Sequence, residues 1–520
     1  MIQSASSLAG VIERAAFNHP DGVAIVDDSG SVTFAQLQAR VRTTAILLDQ
    51  ILGASERVAV IGPNHRIWIE LYYGVPASNR TLVFLNHRLH ARELLSMIER
   101  SAVSIVLGDA DELNRLRAAG CELPHFDWDT WADLIDGITS PVSSKSSDIA
   151  KGKAASRAPA WLLFTSGTTA APKGAMLTSE NILASVNTSA AARPVEQDEI
   201  YVFPFPLCHI AGYNVVHRHA HSLPVVLLSS FTADGFCDIV QRERVTSTSL
   251  AATMLASLID LLEREPYRKV QLQSLRAIAY GAAPMPVSLL RKANELLDVE
   301  FAQGYGMTEL AGNAVFLNAQ AHRNGLESNP HILEAAGVAA PGVEVRLVSE
   351  EGNAVTEGDA GEIIIRGPQV MIGYLNDPAA TDAAVRDGWL YTGDIGRMVD
   401  GLLYVVDRKK DIIITGGENV SSLEVESAVL EHPGIARAAV IGVPDPVWGE
   451  NVCAVVVLRA GALVETKELV TFVRQSLSGF KVPRHVVIVE ELPVTASGKV
   501  VKAELRRFLL QRPELLGERL

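Results

Sequence analysis

Cysteine is scarce in this chain: four residues in 520, namely Cys121, Cys208, Cys237 and Cys453, far apart and without paired spacing. That excludes a disulfide framework and a structural zinc site, and it fits reduced thiols in a reducing compartment. No uncharged apolar run approaches the ~20 residues a membrane span requires. No basic segment followed by a long apolar one opens the chain, so no secretory leader is expected. Positive charge is also short. Lys and Arg total 46 against 60 Asp and Glu, a net charge of −14, which argues against broad nucleic-acid binding and against attraction to anionic lipid. A local basic patch and peripheral membrane contact stay open. The final Gly-Glu-Arg-Leu is not a peroxisomal address, and the cytoplasm is the expected location. No internal repeat is visible. What is abundant is apolar material, 48% of residues, enough for a large core in a chain long enough to divide into domains.

Leu8, Val11, Ile12, Ala15 and Ala16 recur at helical spacing, followed by the turn Pro20-Asp21-Gly22 and the strand Val23-Ala24-Ile25-Val26. Thr33 then caps a helix from about Phe34 to Leu52, and the strand Val58-Ala59-Val60-Ile61 ends at Gly62-Pro63-Asn64. Such alternation predicts layered α/β sheets, largely parallel. Residues 139–159, with six serines and few large apolar side chains, read as a surface connector. From Gly342 to Tyr374 short alternating strands predict a small β-barrel or sheet. After the charged run Asp407-Arg408-Lys409-Lys410-Asp411, a strand, a helix capped near Ser422, two β-rich segments, a helix from Lys467 to Leu477 and a strand from Val486 to Val489 predict a separate α+β domain. The expected fold is therefore α/β: a large N-terminal domain, residues 1–407, then a small α+β C-terminal domain, residues 408–520.

The densest chemistry lies in Phe164-Thr165-Ser166-Gly167-Thr168-Thr169-Ala170-Ala171-Pro172-Lys173-Gly174, directly after the apolar strand Ala160–Phe164. Hydroxyls, backbone N–H groups and one lysine are what a polyphosphate needs in place of its water shell. The Walker A pattern does not fit, because Pro172 stands at a required glycine and Gly174 at the magnesium-binding hydroxyl. A polar surface turn is the competing reading. Gly304-Tyr305-Gly306-Met307-Thr308-Glu309 begins like a dinucleotide fingerprint but lacks its third glycine and the later acidic residue. His217, His219 and His221 have no acidic or thiol ligand nearby, so a polar helix face is expected there rather than a metal site. Cys208, next to His209, offers a nucleophile in principle.

Taken in order, these segments resemble the signatures of the adenylate-forming superfamily of acyl-CoA synthetases, adenylation domains and beetle luciferases. The first is Thr-Ser-Gly-Thr-Thr-Gly-x-Pro-Lys-Gly, from which Ala170 departs at the second glycine. Leu85-Asn86-His87-Arg88-Leu89, Pro206–Gly212, Tyr280–Pro284, Tyr305–Glu309, Tyr391–Asp394, Asp407-Arg408 and Pro493–Lys499 resemble the others. The resemblance implies that Thr165, Ser166, Gly167, Thr168, Thr169 and Lys173 hold the ATP phosphates. It implies that Gly281, Ala282 and Ala283 wall the adenine and acyl pockets, that Tyr305 stacks on adenine, and that Thr308 binds the α-phosphate. Glu309 would hold Mg²⁺, Asp394 and Arg408 the ribose, and His209 the mouth of the acyl pocket. Lys499 would be the catalytic lysine and Lys410 the hinge of a mobile small domain. Gly416 and Gly417 would form an edge brought toward the incoming thiol.

The implied reaction has two halves: a carboxylate attacks the α-phosphorus of ATP to give acyl-AMP and pyrophosphate, then a thiol, expected to be that of CoA, displaces AMP. A fatty acid or a hydrophobic ring acid is expected as substrate, from Ile210, Ala211, Ala282, Ala283 and Met307. A free-standing ligase loading a carrier protein, a luciferase-like oxygenase and a catalytically impaired nucleotide-binding regulator are alternatives. No carrier or condensation domain is expected, and the protein is expected to be a monomer or homodimer.

Overall fold

The computed structural model describes residues 5–53, 56–138, 158–165, 172–281, 285–495 and 499–516. Two sheets dominate the first three quarters of the chain. One has nine strands, in the order Val338–Ala339, Gly312–Leu317, Glu300–Met307, Ala277–Gly281, Ser247–Leu250, Tyr201–Phe203, Val225–Leu227, Val23–Asp27 and Gly30–Thr33. Its central pairs are parallel and its edges antiparallel. The other has seven, running Gly373–Tyr374, Lys173–Thr178, Pro159–Thr165, Thr81–Leu85, Arg57–Ile61, Val103–Gly108 and His125–Asp127.

The helices Arg66–Ala77, Ser179–Ala192 and Tyr213–Ala220 contribute to the core these sheets share. Trp68, Tyr72, Tyr73, Ile182, Val186, Val215 and Val216 are all buried in one cluster with residues of both sheets. Continuous apolar strands such as Val58–Ile61 follow from this, since both their faces are covered. Thr33 caps the helix Phe34–Ile51 in a full capping box with Gln36, which is why that helix begins where the threonine stands.

A five-stranded antiparallel sheet of Glu344–Val348, Gly361–Arg366, Trp389–Val399, Val385–Arg386 and Leu402–Arg408 closes the large domain. The small domain has its own sheet: Glu418–Val420, Ile413–Thr415, Gly449–Leu458 and Ile435–Asp445, with His485–Ile488 added parallel to Gly449–Leu458. Among the described residues no hydrophobic cluster mixes side chains up to Val405 with side chains from Ile413 onward. Polar bonds join the two sides instead. Asp407, almost fully buried at the end of its strand, accepts from the Ser422 amide at 2.5 Å and the Ser422 hydroxyl at 2.6 Å, while the Ser421 hydroxyl donates to the Val406 carbonyl at 2.7 Å. Ser421, one residue before the expected cap, thus begins the helix Ser422–Leu430.

Candidate active site

A cavity of about 1580 Å³ runs between the two domains. Thr165, Lys173, Gly281, Tyr305, Thr308 and Glu309 line it from the large domain, and Asp394, Arg408, Lys410 and Lys499 from the closing sheet, the connector and the small domain. Six stretches spread over more than 300 residues of sequence therefore meet in one place. Ser166, Gly167, Thr168 and Thr169, and likewise Ala170, Ala282 and Ala283, lie outside the described residues.

The glycines of Gly304–Gly306 belong to the strand Glu300–Met307 rather than to a phosphate turn. A Cβ on Gly281 would sit 2.5 Å from the Gly304 carbonyl oxygen, so the glycine permits a close strand pairing that opens the cavity floor. The Tyr305 hydroxyl donates to Asp394 Oδ2 at 2.7 Å, fixing the ring along the wall, and burial pushes its pKa well up, so it stays a neutral phenol. Asp394 is itself buried; its amide donates to Thr392 Oγ1 at 3.1 Å. Arg408 Nε forms an ion pair with Asp394 Oδ1 at 2.6 Å, off the hydrogen-bonding direction, and Oδ1 is left buried without a hydrogen-bond partner among the described residues. An orphaned buried acceptor of this kind invites a donor from outside the protein.

Glu309 accepts from the Tyr374 hydroxyl at 2.8 Å, and Lys173 Nζ stands 5.2 Å from the centre of the same Tyr374 ring. Tyr374 was not legible from the sequence: it is the last residue of a two-residue edge strand and reaches the site only because that strand pairs with Ala175-Met176.

Lys499 is tied to Thr495 by two hydrogen bonds. The Thr495 amide donates to the Lys499 carbonyl at 2.7 Å and the Lys499 amide to the Thr495 hydroxyl at 3.1 Å. Protein from both domains surrounds the amine although its side chain still meets the water of the cleft. This enclosure first, then the Arg408 cation, pushes its pKa down to about 8. His209 lies within reach of that charge: burial foremost, and then Lys499, push its pKa down to about 4, so the ring is neutral. Its Nδ1 accepts from the Ala211 amide at 3.3 Å, which assigns the ring proton to Nε2 and makes His209 a neutral donor. Cys208 is pushed up to about 12 by burial and stays a thiol, which removes the nucleophile reading.

Lys410 stands exposed at the rim, its pKa lowered by its surroundings and by Arg408, and its neighbour Asp411 pairs with Arg506 at 2.8 Å. Gly416 and Gly417 do not reach the cavity. With φ of +60° and +85° they make the tight turn between Ile413–Thr415 and Glu418–Val420, and Trp448 packs so closely on Gly416 that no Cβ fits.

The histidine trio departs from expectation. His217 and His219 are fully buried, not on a polar face, because the helix carrying them is covered by the helices Leu8–Asn18 and Ser179–Ala192 and by the strands Tyr201–Phe203 and Val225–Leu227. His219 Nδ1 meets the Tyr73 hydroxyl at 2.8 Å and its Nε2 the Ala24 carbonyl at 3.1 Å, so it is a core histidine. Among the described residues no group of three or more His, Cys, Asp and Glu is placed to hold a metal, and no helix is long and apolar enough to cross a membrane.

The chain matches the sequence model of the AMP-binding enzyme family over residues 12–375 and that of the AMP-binding enzyme C-terminal domain over residues 424–499. It is 34% identical over 517 residues to a feruloyl-CoA synthase of an Amycolatopsis species, covering 95% of this chain and 97% of that one. It is 31% identical over 499 residues to a 2-succinylbenzoate–CoA ligase of Bacillus cereus, with the same coverages. Its fold is similar to that of an o-succinylbenzoate CoA synthetase of Bacillus subtilis in complex with its acyl-adenylate intermediate, with a TM-score of 0.81 and 29% identity over 95% of this chain and 97% of that one.

Proposed function

The chain belongs to the AMP-binding enzyme family, and from that premise we propose that the interdomain cavity makes an acyl-adenylate and passes its acyl group to CoA. The protein is an AMP-forming acid–CoA ligase that uses ATP, Mg²⁺ and CoA. Its finer assignments rest on the geometry of the cleft. The observation that carries them is the convergence of Lys499, from the small domain, on the cavity that Tyr305, Asp394, Arg408 and Glu309 line from the other side.

The chemical problem is electrostatic, since a carboxylate must approach an anionic phosphate in line. Lys499 and Lys173 offset that repulsion from opposite sides. Thr308 orients the α-phosphate by its hydroxyl. A carboxyl oxygen then forms its bond to the α-phosphorus as the bond to pyrophosphate breaks. The neutral His209 donates from Nε2 toward the acyl carbonyl without adding a second cation beside Lys499. Tyr305 offers its ring to adenine. Asp394, whose Oδ1 lacks a hydrogen-bond partner, accepts from a ribose hydroxyl, with Arg408 beside it. In the second half the CoA thiol sulfur bonds to the acyl carbon and AMP leaves with the electron pair.

The residues fit Mg²⁺ in one respect that matters: Glu309 is a single hard-oxygen ligand, and this ion is ordinarily held by one or two carboxylates plus substrate phosphates and water. Bound there, the ion would supply charge neutralisation at the phosphates.

For the acid, the chemical names of the relatives point to aromatic and ring acids, and the apolar walls at Phe205, Ile210, Ala211, Met285 and Phe316 suit such a body. We assign a ring acid in preference to a fatty acid. We place the pivot of the small domain at Lys410, between the last strand of the large domain and Ile413. ATP-dependent pyrophosphate release, followed by mass analysis of the CoA product across a panel of aromatic and fatty acids, tests the assignment. Absence of acid-dependent pyrophosphate release would sink it.

A further inference from the structure

Arg193 ends the helix Ser179–Ala192. Its backbone N–H donates to the Ser189 carbonyl at 2.8 Å, and its side chain lines the cavity with Ser189, Tyr213, Asn214 and Ser249. Among the described residues its guanidinium makes no hydrogen bond and no ion pair, although this group carries five donors. The nearest acid is already committed. Glu199 Oε1 accepts from Arg218 Nε at 2.9 Å and from the Ser247 hydroxyl at 2.7 Å, and pairs with Arg218 Nη2 at 2.8 Å.

Arg218 is itself fully buried. It stacks 4.1 Å over the Tyr201 ring, and its Nη1 donates to His217 Nδ1 at 3.0 Å. His217, pushed far down by burial and by Arg218, is neutral. The strongest electrostatic partners of Arg193 are thus one cation, Arg218, two phenols, Tyr201 and Tyr213, and one carboxylate spent elsewhere, Glu199. Burial, with Arg218 next, pulls the Arg193 pKa down: the site is short of one negative charge.

The hydroxyls of this wall are tied to each other. The Ser189 hydroxyl donates to the Tyr213 oxygen at 3.4 Å, which also accepts from Asn313 Nδ2 at 3.1 Å, and the Tyr201 hydroxyl donates to Ser249 Oγ at 3.0 Å. They hold the wall rigid and leave the guanidinium as its free recognition group. Its strongest electrostatic partners include none of Lys173, Thr308 and Glu309, the groups assigned above to the phosphates and their ion.

We infer that Arg193 is a specificity-determining residue that receives a second carboxylate of the substrate, so that the preferred acid is an apolar body with carboxylates at both ends. Only one is activated; the other docks on the guanidinium in a charge-assisted, bidentate contact. This deepens the ligase reading and rests on it. A monoacid filling the same pocket would leave this cavity-lining cation unpaired.

The experiment compares kcat/KM for pyrophosphate release with hexanoic to decanoic acids and their α,ω-dicarboxylic counterparts, and with 3-phenylpropanoic acid and its 4-hydroxy and 4-carboxy derivatives. The enzymes are the natural protein, Arg193→Met and Arg193→Lys. For at least one body the diacid exceeds its monoacid partner by about tenfold or more in the natural protein. In Arg193→Met that ratio collapses through KM of the diacid, and Arg193→Lys restores part of it. Three results would overturn the inference: monoacids preferred throughout, a 4-hydroxy acid equal to the 4-carboxy acid, or a proportional loss on both partners with Lys no better than Met. Pyrophosphate release with monoacids but no diacid preference leaves the ligase reading standing and removes only the role of Arg193. Release with no acid of either kind removes the ligase reading itself.

Discussion

At the end of the cleft that we assign to the nucleotide the polar groups are tied to one another, Tyr305 to Asp394, Asp394 to Arg408 and Tyr374 to Glu309, and the one acceptor left over, Asp394 Oδ1, is already oriented. At the end we assign to the acid, apolar side chains face the cavity, and among the described residues the Arg193 guanidinium there makes no hydrogen bond or ion pair. A pre-assembled network suits a ligand that never changes, because its donors and acceptors are already oriented and little ordering remains to be done on binding. A wall with one unsatisfied charge suits discrimination, since it rejects acids that cannot supply the missing partner.

This contrast can be broken in several ways. Replacing Lys499 by Ala should lower pyrophosphate release by about 10²–10³-fold, the loss typical of one preorganised charge-stabilising group. KM for ATP and for acid should change little, because we assign the lysine to the reacting atoms between the two ends; pyrophosphate release coupled through pyrophosphatase to phosphate detection measures it. The same lysine sets a pH limb. Its pKa is pulled down to about 8, so the cation is present below that value and lost above it. Adenylation kcat/KM in the free enzyme should therefore fall as pH rises through about 8 and stay flat on the acid side of that range, and Lys499→Arg should remove the decline in a pH–rate profile.

Asp394→Ala should raise KM for ATP by roughly 10- to 100-fold, the scale of one or two hydrogen bonds to a charged group, with KM for acid almost unmoved. Ala211→Phe should do the converse, raising KM for bulky acids by about tenfold while sparing ATP. Equal shifts of both constants in either variant would mean the ends are not separate. The smallest effect is expected at Cys208: with its thiol pushed up to about 12, alkylation by iodoacetamide at neutral pH should be slower than for a free thiol, and slower again with acid bound, as peptide mass mapping would reveal.

The division also explains what could be read in advance. The residues we assign to the nucleotide come as short contiguous patterns, Tyr305 to Glu309 or Tyr391 to Asp394, because one unchanging ligand demands fixed spacing along the chain. Arg193 carries no such pattern; its isolation arises because Arg218, distant in sequence, takes Glu199 first. Tyr374 is similar, being delivered by an edge strand. His217 and His219 were misread as a polar face because helical spacing says nothing about what covers a helix, and here Phe34 and Tyr73 pack on His219. The alternation of strands and helices, by contrast, made the layered sheets legible, since a parallel strand covered on both faces has little choice but to be apolar.

Asp407 serves two masters, ending a strand of one domain while holding the first turn of a helix in the other. Any swing of the small domain about the residues that follow must surrender these contacts, a toll on the order of a few kcal/mol, and water at the cleft refunds part of it. The joint would behave as a detent: it holds one posture firmly enough to finish a chemical step, and weakly enough that thermal motion can release it before the next.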